Sequence, residues 1–247
     1  RKDFDVLDFD ELKNYINKNN FDIVVNCVAK LGIDPCELDP VNAHKCNAQL
    51  PRLLAEESNK QRFILVHFSS DAVFADNFNK SYNESDPPSP VNIYGYSKYC
   101  GDLFVENIAE RYYIIRIPLI FGISNKKSQF FEKMVEKIIC NIDIKIADDI
   151  FTTPTYSNDV AKELFKIISN KEDYGLYHVN NSGEVSLYGL ISKYIEIKNI
   201  SAKISKSSYK DFKHIGRKNT KTILTSKKIS RMRNWKLALN EYINDEV

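Results

Sequence analysis

Glycine is scarce in this chain, with eight residues in 247. None of the eight (positions 32, 95, 101, 122, 175, 183, 189 and 216) forms a Gly-x-Gly-x-x-Gly or Gly-x-x-Gly-x-x-Gly turn. That turn is the backbone cradle a dinucleotide pyrophosphate uses at a helix N-terminus. No apolar run is long enough to span a membrane, so no membrane partner is expected, and no signal peptide is visible. Net charge is only +2, which argues against a nucleic-acid partner. The five cysteines (Cys27, Cys36, Cys46, Cys100, Cys140) are odd in number and contain no Cys-x-x-Cys pair. A reduced, cytoplasmic protein with small buried thiols and no structural zinc is expected. No His/Asp/Glu spacing suggests a metal site. The stretch Lys203–Lys228 is the one basic asymmetry, open to a solvated-face or a phosphate-facing reading.

What is present is a strand–helix alternation. Phe21–Ala29, Phe63–Phe68 and Tyr112–Ile117 are nearly continuous apolar runs rich in β-branched residues. Such runs suit strands covered on both faces, as in a parallel sheet. Helical stretches separate them: Phe9–Asn19, Asp39–Asn59 with Pro51 kinking or splitting it, and Asn92–Glu110. This spacing implies right-handed βαβ crossovers and an α/β, doubly wound, Rossmann-like sheet. Beyond Gly122 the pattern gives a helix over Gln129–Cys140, a strand at Ile144–Ala147, and a helix capped by Ser157 through Ser169. A strand at Tyr177–Asn180 and a helix capped by Ser186 to about Ile197 follow. Residues 1–122 and about 157–180 are read as the dinucleotide-binding domain, and about 123–156 and 181–247 as a substrate lobe.

The chain opens on Arg1 and a helix, whereas a dinucleotide fold opens on a strand and a glycine turn. A sheet lacking its central first strand would expose apolar surface and unpaired backbone groups. The natural protein is therefore expected to carry roughly fifty further residues, the two βα units with which this fold starts.

Tyr94 and Lys98 lie four residues apart in Asn-Ile-Tyr-Gly-Tyr-Ser-Lys, downstream of an apolar strand that ends in Ser69-Ser70-Asp71. On a helix, residues i and i+4 share a face, so a phenol and an ammonium can address one substrate. The same spacing recurs at Tyr194/Lys198 and Tyr209/Lys213 without that upstream strand. A hydroxyl, a phenol and a cation converging on a carbonyl would make a reductase. Asp71 reads equally as a ligand for a sugar hydroxyl or as a turn aspartate bonding its own backbone. His67 and His178 read as structural, since no carboxylate partner is evident.

Several stretches resemble the dTDP-4-dehydrorhamnose reductase and sugar-nucleotide-binding group of the extended short-chain dehydrogenases/reductases. They are Val25-Asn-Cys-Val-Ala29, His67-Phe-Ser-Ser-Asp-Ala-Val-Phe74, Tyr82-Asn-Glu84-x-Asp86 through Tyr94-Gly-x-x-Lys98-x-x-Gly101-Asp102, Arg116-Ile-Pro-Leu-Ile-Phe-Gly122 and Pro154-Thr155. The resemblance covers nearly the whole chain. It implies reduction of the 4-keto group of a nucleotide-linked deoxysugar in surface polysaccharide precursor synthesis, with NADPH or NADH as cofactor and the nucleotide sugar as partner. A homodimer is left open.

The resemblance makes Ser70, Tyr94 and Lys98 catalytic. Asp5, Val6, Ala29, Lys30, Leu31, Tyr94, Lys98 and Pro118 would hold the cofactor, and Ser70, Asp71 and Leu119 the substrate. Tyr94 would be the general acid. Lys98 would lower its pKa from about 10 by roughly two to three units and hold the nicotinamide ribose, while Ser70 would donate to the carbonyl oxygen. The sequence departs from the family at Ala72 (a tyrosine there), Leu119 (a tryptophan), Lys30-Leu31 (His-Thr) and Lys218 (a proline). Those departures keep open a non-catalytic nucleotide-binding regulatory subunit of the same fold; a nucleotide-sugar epimerase is a further alternative, against which the Ser-Ser-Asp-x-Val-Phe stretch and the short C-terminal lobe argue.

Overall fold

A computed structural model describes residues 4–123 and 129–245. In chain order the elements are α1 (Phe9–Lys18), β1 (Ile23–Asn26), α2 (Ile33–Leu38), α3 (Pro40–His44), a π-helical turn (Lys45–Gln49) and α4 (Leu50–Gln61). Then come β2 (Ile64–Ser70), a 3-10 turn (Asp71–Val73), α5 (Ile93–Ile108), β3 (Tyr112–Ile117), β4 (Ile120–Phe121), α6 (Phe130–Ile139) and β5 (Ile144–Ala147). The remainder is β6 (Phe151–Thr152), β7 (Thr155–Tyr156), α7 (Ser157–Ser169), β8 (Gly175–His178), β9 (Val185–Ser186), α8 (Leu187–Lys198), β10 (Ile204–Ser207), a 3-10 turn (Tyr209–Asp211) and α9 (Trp235–Asp245). No helix among the described residues is long and apolar enough to cross a membrane.

The main sheet is parallel, in the order β1-β2-β3-β8, as the alternating apolar runs require. Leu65 and Ile114 face one side, where α1, α4 and α5 cover them with Leu12, Ile16, Leu53, Leu54 and Val105. Val66, Tyr113 and Ile115 face the other, against Val160 and Ile167 of α7. Helices on both faces are what makes central strands read as unbroken apolar runs. Among the described residues β1 is one of the two outer strands, and Ile23 and Val25 stay 37% and 46% exposed.

A second core lies beyond β4. Phe121, Phe131, Tyr156, Tyr194 and Tyr242 pack together, mostly edge to face with Phe121 stacked on Tyr156, at centroid separations of 5.3 to 6.0 Å, with the only tryptophan, Trp235, in the same cluster. Aromatic pairs of this geometry contribute about 0.5–1.5 kcal/mol each beyond their buried area. Asn181 joins the two cores at the end of β8. Its Oδ1 accepts from Tyr156 N at 2.8 Å, and its Nδ2 donates to Asp159 Oδ2 at 2.7 Å. Asp159 also takes Arg233 through both oxygens at 2.8 Å.

Three local expectations change. The expected Asp39–Asn59 helix opens into the π-turn Lys45–Gln49 ahead of Pro51, because proline offers no N–H to the carbonyl four residues before it. Ser157 is the first helical residue of α7 and Tyr156 is its cap position, with no side-chain cap bond. The basic stretch is not simply a solvated face. Lys206 pairs with Asp148 at 2.8 Å, Lys218 with Asp34 at 2.9 Å and Lys221 with Glu184 at 3.1 Å. Residues 215–229 form a strap packed on the segment between β2 and α5, with Leu224 buried beside Val73, Phe74 and Tyr82.

Candidate active site

β2 ends at Ser70 and turns directly into the 3-10 segment, with α5 packed over the turn. Asn92 caps α5, its Oδ1 accepting from Gly95 N at 2.8 Å. Two glycines let the helix approach this closely. A Cβ on Gly95 would lie 2.1 Å from Ala72 O, and one on Gly101 would lie 2.2 Å from Asn47 O. The helix thereby presents Tyr94 and Lys98 at the C-terminal end of β2, the edge where open α/β sheets take their ligands.

Ser70 is buried. Its Oγ accepts from Ala72 N and donates to Asp71 Oδ1, both at 3.1 Å. It is also the hydrogen-bonding neighbour of the Tyr94 phenol. Burial pushes that phenol up to about 12. The Ser70 hydrogen bond opposes the rise, and the Asp71 carboxylate adds to it. The depression expected from Lys98 does not appear: burial is the largest influence on the phenol, and Lys98 is not among the groups that shift it.

Lys98 is 2% exposed, and its Nζ donates to Phe68 O at 2.6 Å. Burial lowers its ammonium to about 8, and Asp102, one turn along the helix, is the largest influence holding it up. Asp71 is pushed up to about 6 by burial, against hydrogen bonds from Thr222 and Ser70.

The residues expected to face the cofactor flank this group. Ala29, Lys30 and Leu31 lie in the loop after β1. Asn47, on the π-turn, brackets that loop: Lys30 N donates to its Oδ1 at 2.9 Å, and its Nδ2 donates to Lys30 O at 3.1 Å and Ser97 Oγ at 2.9 Å. The Lys30 ammonium pairs with Asp39. Asp5 is exposed and accepts from Leu7 N at 3.0 Å, a turn role, while the cap of α1 is Asp8. Val6 packs against the α1/α4 core. Pro118 is buried. Leu119 packs against the aromatic core beyond β4.

Beneath the helix lies a charged layer that sequence reasoning missed. Asp102, 2% exposed, takes Arg116 Nε at 3.0 Å, and Arg116 is itself 3% exposed. Asn26 donates to His67 Nδ1 at 3.1 Å, its amide oriented by Val28 N at 3.1 Å. That leaves the ring proton on Nε2, which faces Asp102 Oδ1 at 3.7 Å. His178 likewise has a carboxylate nearby: Glu84 Oε1 accepts the His178 backbone N–H at 3.0 Å. The fold thus brings a carboxylate near each histidine, but neither ring hydrogen-bonds to one. Burial drives His67 well below its ordinary range and His178 down to about 4, so both rings are neutral packing elements. Asn47 and Asp102 lie in stretches that resemble the family, whereas Thr222 carried no signal of its own. Among the described residues no cluster of three or more His, Cys, Asp or Glu could hold a metal ion.

Known proteins are similar to this chain in sequence and fold. Spore coat polysaccharide biosynthesis protein SpsK of Bacillus subtilis (strain 168) is 29% identical over 91% of this chain and 79% of its own length. A probable dTDP-4,6-dihydroxy-2-methyloxan-3-one 4-ketoreductase of Streptomyces antibioticus is 31% identical over 68% of this chain, and that match spans only 57% of the relative. The crystal structure of dTDP-4-dehydrorhamnose reductase from Bacillus anthracis str. Ames in complex with NADP superposes with a TM-score of 0.93 at 25% identity, covering 99% of this chain and 88% of that one. The profile of the RmlD substrate binding domain matches residues 1–247, and the chain belongs to that family.

Proposed function

We propose that this protein reduces the 4-keto group of a nucleotide-linked deoxysugar with NAD(P)H, the chemistry of a dTDP-4-dehydrorhamnose reductase, in the synthesis of a surface polysaccharide precursor. The observation that carries this reading is the convergence of Ser70, Tyr94 and Lys98 at one end of β2. The reductase names of the relatives and the NADP-bound neighbour support it.

The residues fit the cofactor. Lys98 uses one N–H on Phe68 O, and an ammonium has two more for ribose hydroxyls. The loop at Ala29–Leu31, held by Asn47, offers backbone beside them. NAD(P)H, when bound there, supplies the hydride. With its pKa near 12 the Tyr94 phenol keeps its proton at neutral pH, the form a general acid needs. It gives that proton to the nascent alkoxide. Ser70 donates to the same oxygen and fixes its position. Asp71 lies next to it, within reach of a neighbouring sugar hydroxyl.

The test is loss of reduced-nicotinamide absorbance with dTDP-4-keto-6-deoxy-L-mannose, using NADPH and NADH in turn. Tyr94→Phe should lower kcat by about 10²–10⁴-fold and leave cofactor affinity within about twofold. Normal turnover by Tyr94→Phe would remove the general-acid assignment. Cofactor binding without turnover on any keto-sugar would favour the non-catalytic nucleotide-binding subunit, the reading that Ala72 and Leu119 leave open.

A further inference from the structure

The Ser70 hydroxyl has one proton and two claims on it. In the reduction proposed above it must donate to the substrate carbonyl oxygen. In this structure it donates to Asp71 Oδ1 at 3.1 Å while accepting from Ala72 N. The second oxygen of Asp71 accepts from Thr222 Oγ1 at 2.8 Å. Each carboxylate oxygen therefore takes one hydroxyl, one from the end of β2 and one from the strap 151 residues away in sequence.

Thr222 is held in place firmly. Asp34 Oδ1 accepts from Ile215 N at 3.1 Å, Gly216 N at 3.2 Å and Lys218 Nζ at 2.9 Å. Asn92, the cap of the catalytic helix, donates to Arg217 O and Asn219 Oδ1 at 2.9 Å. Asp76 accepts from Thr220 N at 2.6 Å, Thr220 Oγ1 at 2.9 Å and Lys221 N at 3.0 Å. Thr222 is 5% exposed, so its hydroxyl has little access to water as an alternative partner.

We propose that Thr222 is a positioning residue that acts through Asp71 and governs which way Ser70 presents its proton. This rests on the reductase reading of Ser70. While Asp71 is ionised, it draws the Ser70 proton toward Oδ1. Once Asp71 is protonated, it no longer needs that proton, and Ser70 is free to donate to the carbonyl oxygen. Thr222, by donating to Oδ2, stabilises the ionised form and sets the pH at which the change occurs.

The groups facing Asp71 are the Tyr94 phenol from α5, Ser70 and Ala72 N of its own turn, and Thr222 of the strap. Among the described residues no lysine or arginine is ion-paired with it. Burial places its carboxyl at about 6, inside the accessible pH range.

Two measurements on the whole protein test this. Carboxyl ¹³C NMR, with Asp71→Asn to assign the resonance, follows Asp71 directly. The pH dependence of kcat/KM is measured with dTDP-4-keto-6-deoxy-L-mannose and NADPH. Thr222→Val should raise the Asp71 pKa by about one unit, the value of one hydrogen bond to a charged group. The corresponding limb in the rate profile should move by the same amount. Thr222→Ser, which keeps the hydroxyl, should restore both. A folded Thr222→Val protein with an unshifted Asp71 resonance would overturn the proposal. So would a shifted resonance with an unmoved rate profile, because Ser70 would then be indifferent to Asp71. No turnover in the unmodified protein would sink the reductase reading and with it the role given to Ser70. The carboxyl titration would still read the Thr222–Asp71 link by itself.

Discussion

Lys98→Met gives the sharpest test of the electrostatics beneath the site. Lys98 is 2% exposed and its ammonium sits at about 8 against an ordinary 10.5. A folded pKa below the unfolded one means the charged form is the strained one. Stability is therefore reduced below pH 8 and recovered as pH rises from 8 toward 10.5. The shift corresponds to about 3 kcal/mol in full. Between pH 7.5 and 9.5 linkage gives a gain of about 2 kcal/mol from this one group. Methionine cannot titrate, so that gain should vanish in the variant.

The assay is urea unfolding at the two pH values, followed by far-UV circular dichroism and by the fluorescence of Trp235. Subtracting the variant from the parent cancels the tyrosines and other lysines that titrate in both. At pH 7.5 the variant also loses the bond to Phe68 O, worth about 1.5–3 kcal/mol for a charged donor. The two proteins should therefore differ little in stability there, while cofactor binding collapses in the variant. An identical pH slope in both would refute the claim that Lys98 is held charged against its burial.

Two further outcomes follow from packing. Asp102→Asn would leave Arg116 as a buried cation whose Nη1 already has no partner, at a cost of about 3–5 kcal/mol in unfolding free energy. The same change removes the largest influence holding Lys98 protonated, so cofactor affinity should fall more steeply with rising pH than in the parent. Gly101→Ala should destabilise by about 1–3 kcal/mol, although alanine is favoured over glycine in a helix by about 1 kcal/mol. The reason is that its Cβ would lie 2.2 Å from Asn47 O. Because Asn47 holds the Lys30 backbone, the variant should also raise the KM for cofactor, and a chemical-denaturation curve with a cofactor titration would check both.

Much of the fold was legible because burial on two faces imposes one sequence pattern. β3 and α5 fall within the expected runs, β2 continues two residues past its run, and β1 occupies the middle of its run. Ser186 caps α8 through Gly189 N at 3.0 Å as expected. The short strands β4, β6, β7 and β9 were not legible, since two residues carry no periodicity. Nor was β10, whose alternation is mostly polar, or α9, which follows a stretch dense in lysine and serine. The π-turn escaped because proline signals where a helical bond is lost and not how the chain rearranges around the loss.

The sequence by itself determined the parallel α/β architecture and the helix that carries Tyr94 and Lys98, because strand burial and the i to i+4 spacing of those two residues are local properties. Only the tertiary structure decided the electrostatics. Lys98 is lowered and Tyr94 raised because both ionisable groups are desolvated, and desolvation depends on what packs over them. The partners of the key carboxylates are also remote: Asp71 meets Thr222 across 151 residues, and Asp34 meets Lys218 across 184. Contacts at that separation are fixed by the closure of the chain over the sheet, and no local pattern of residue types encodes them.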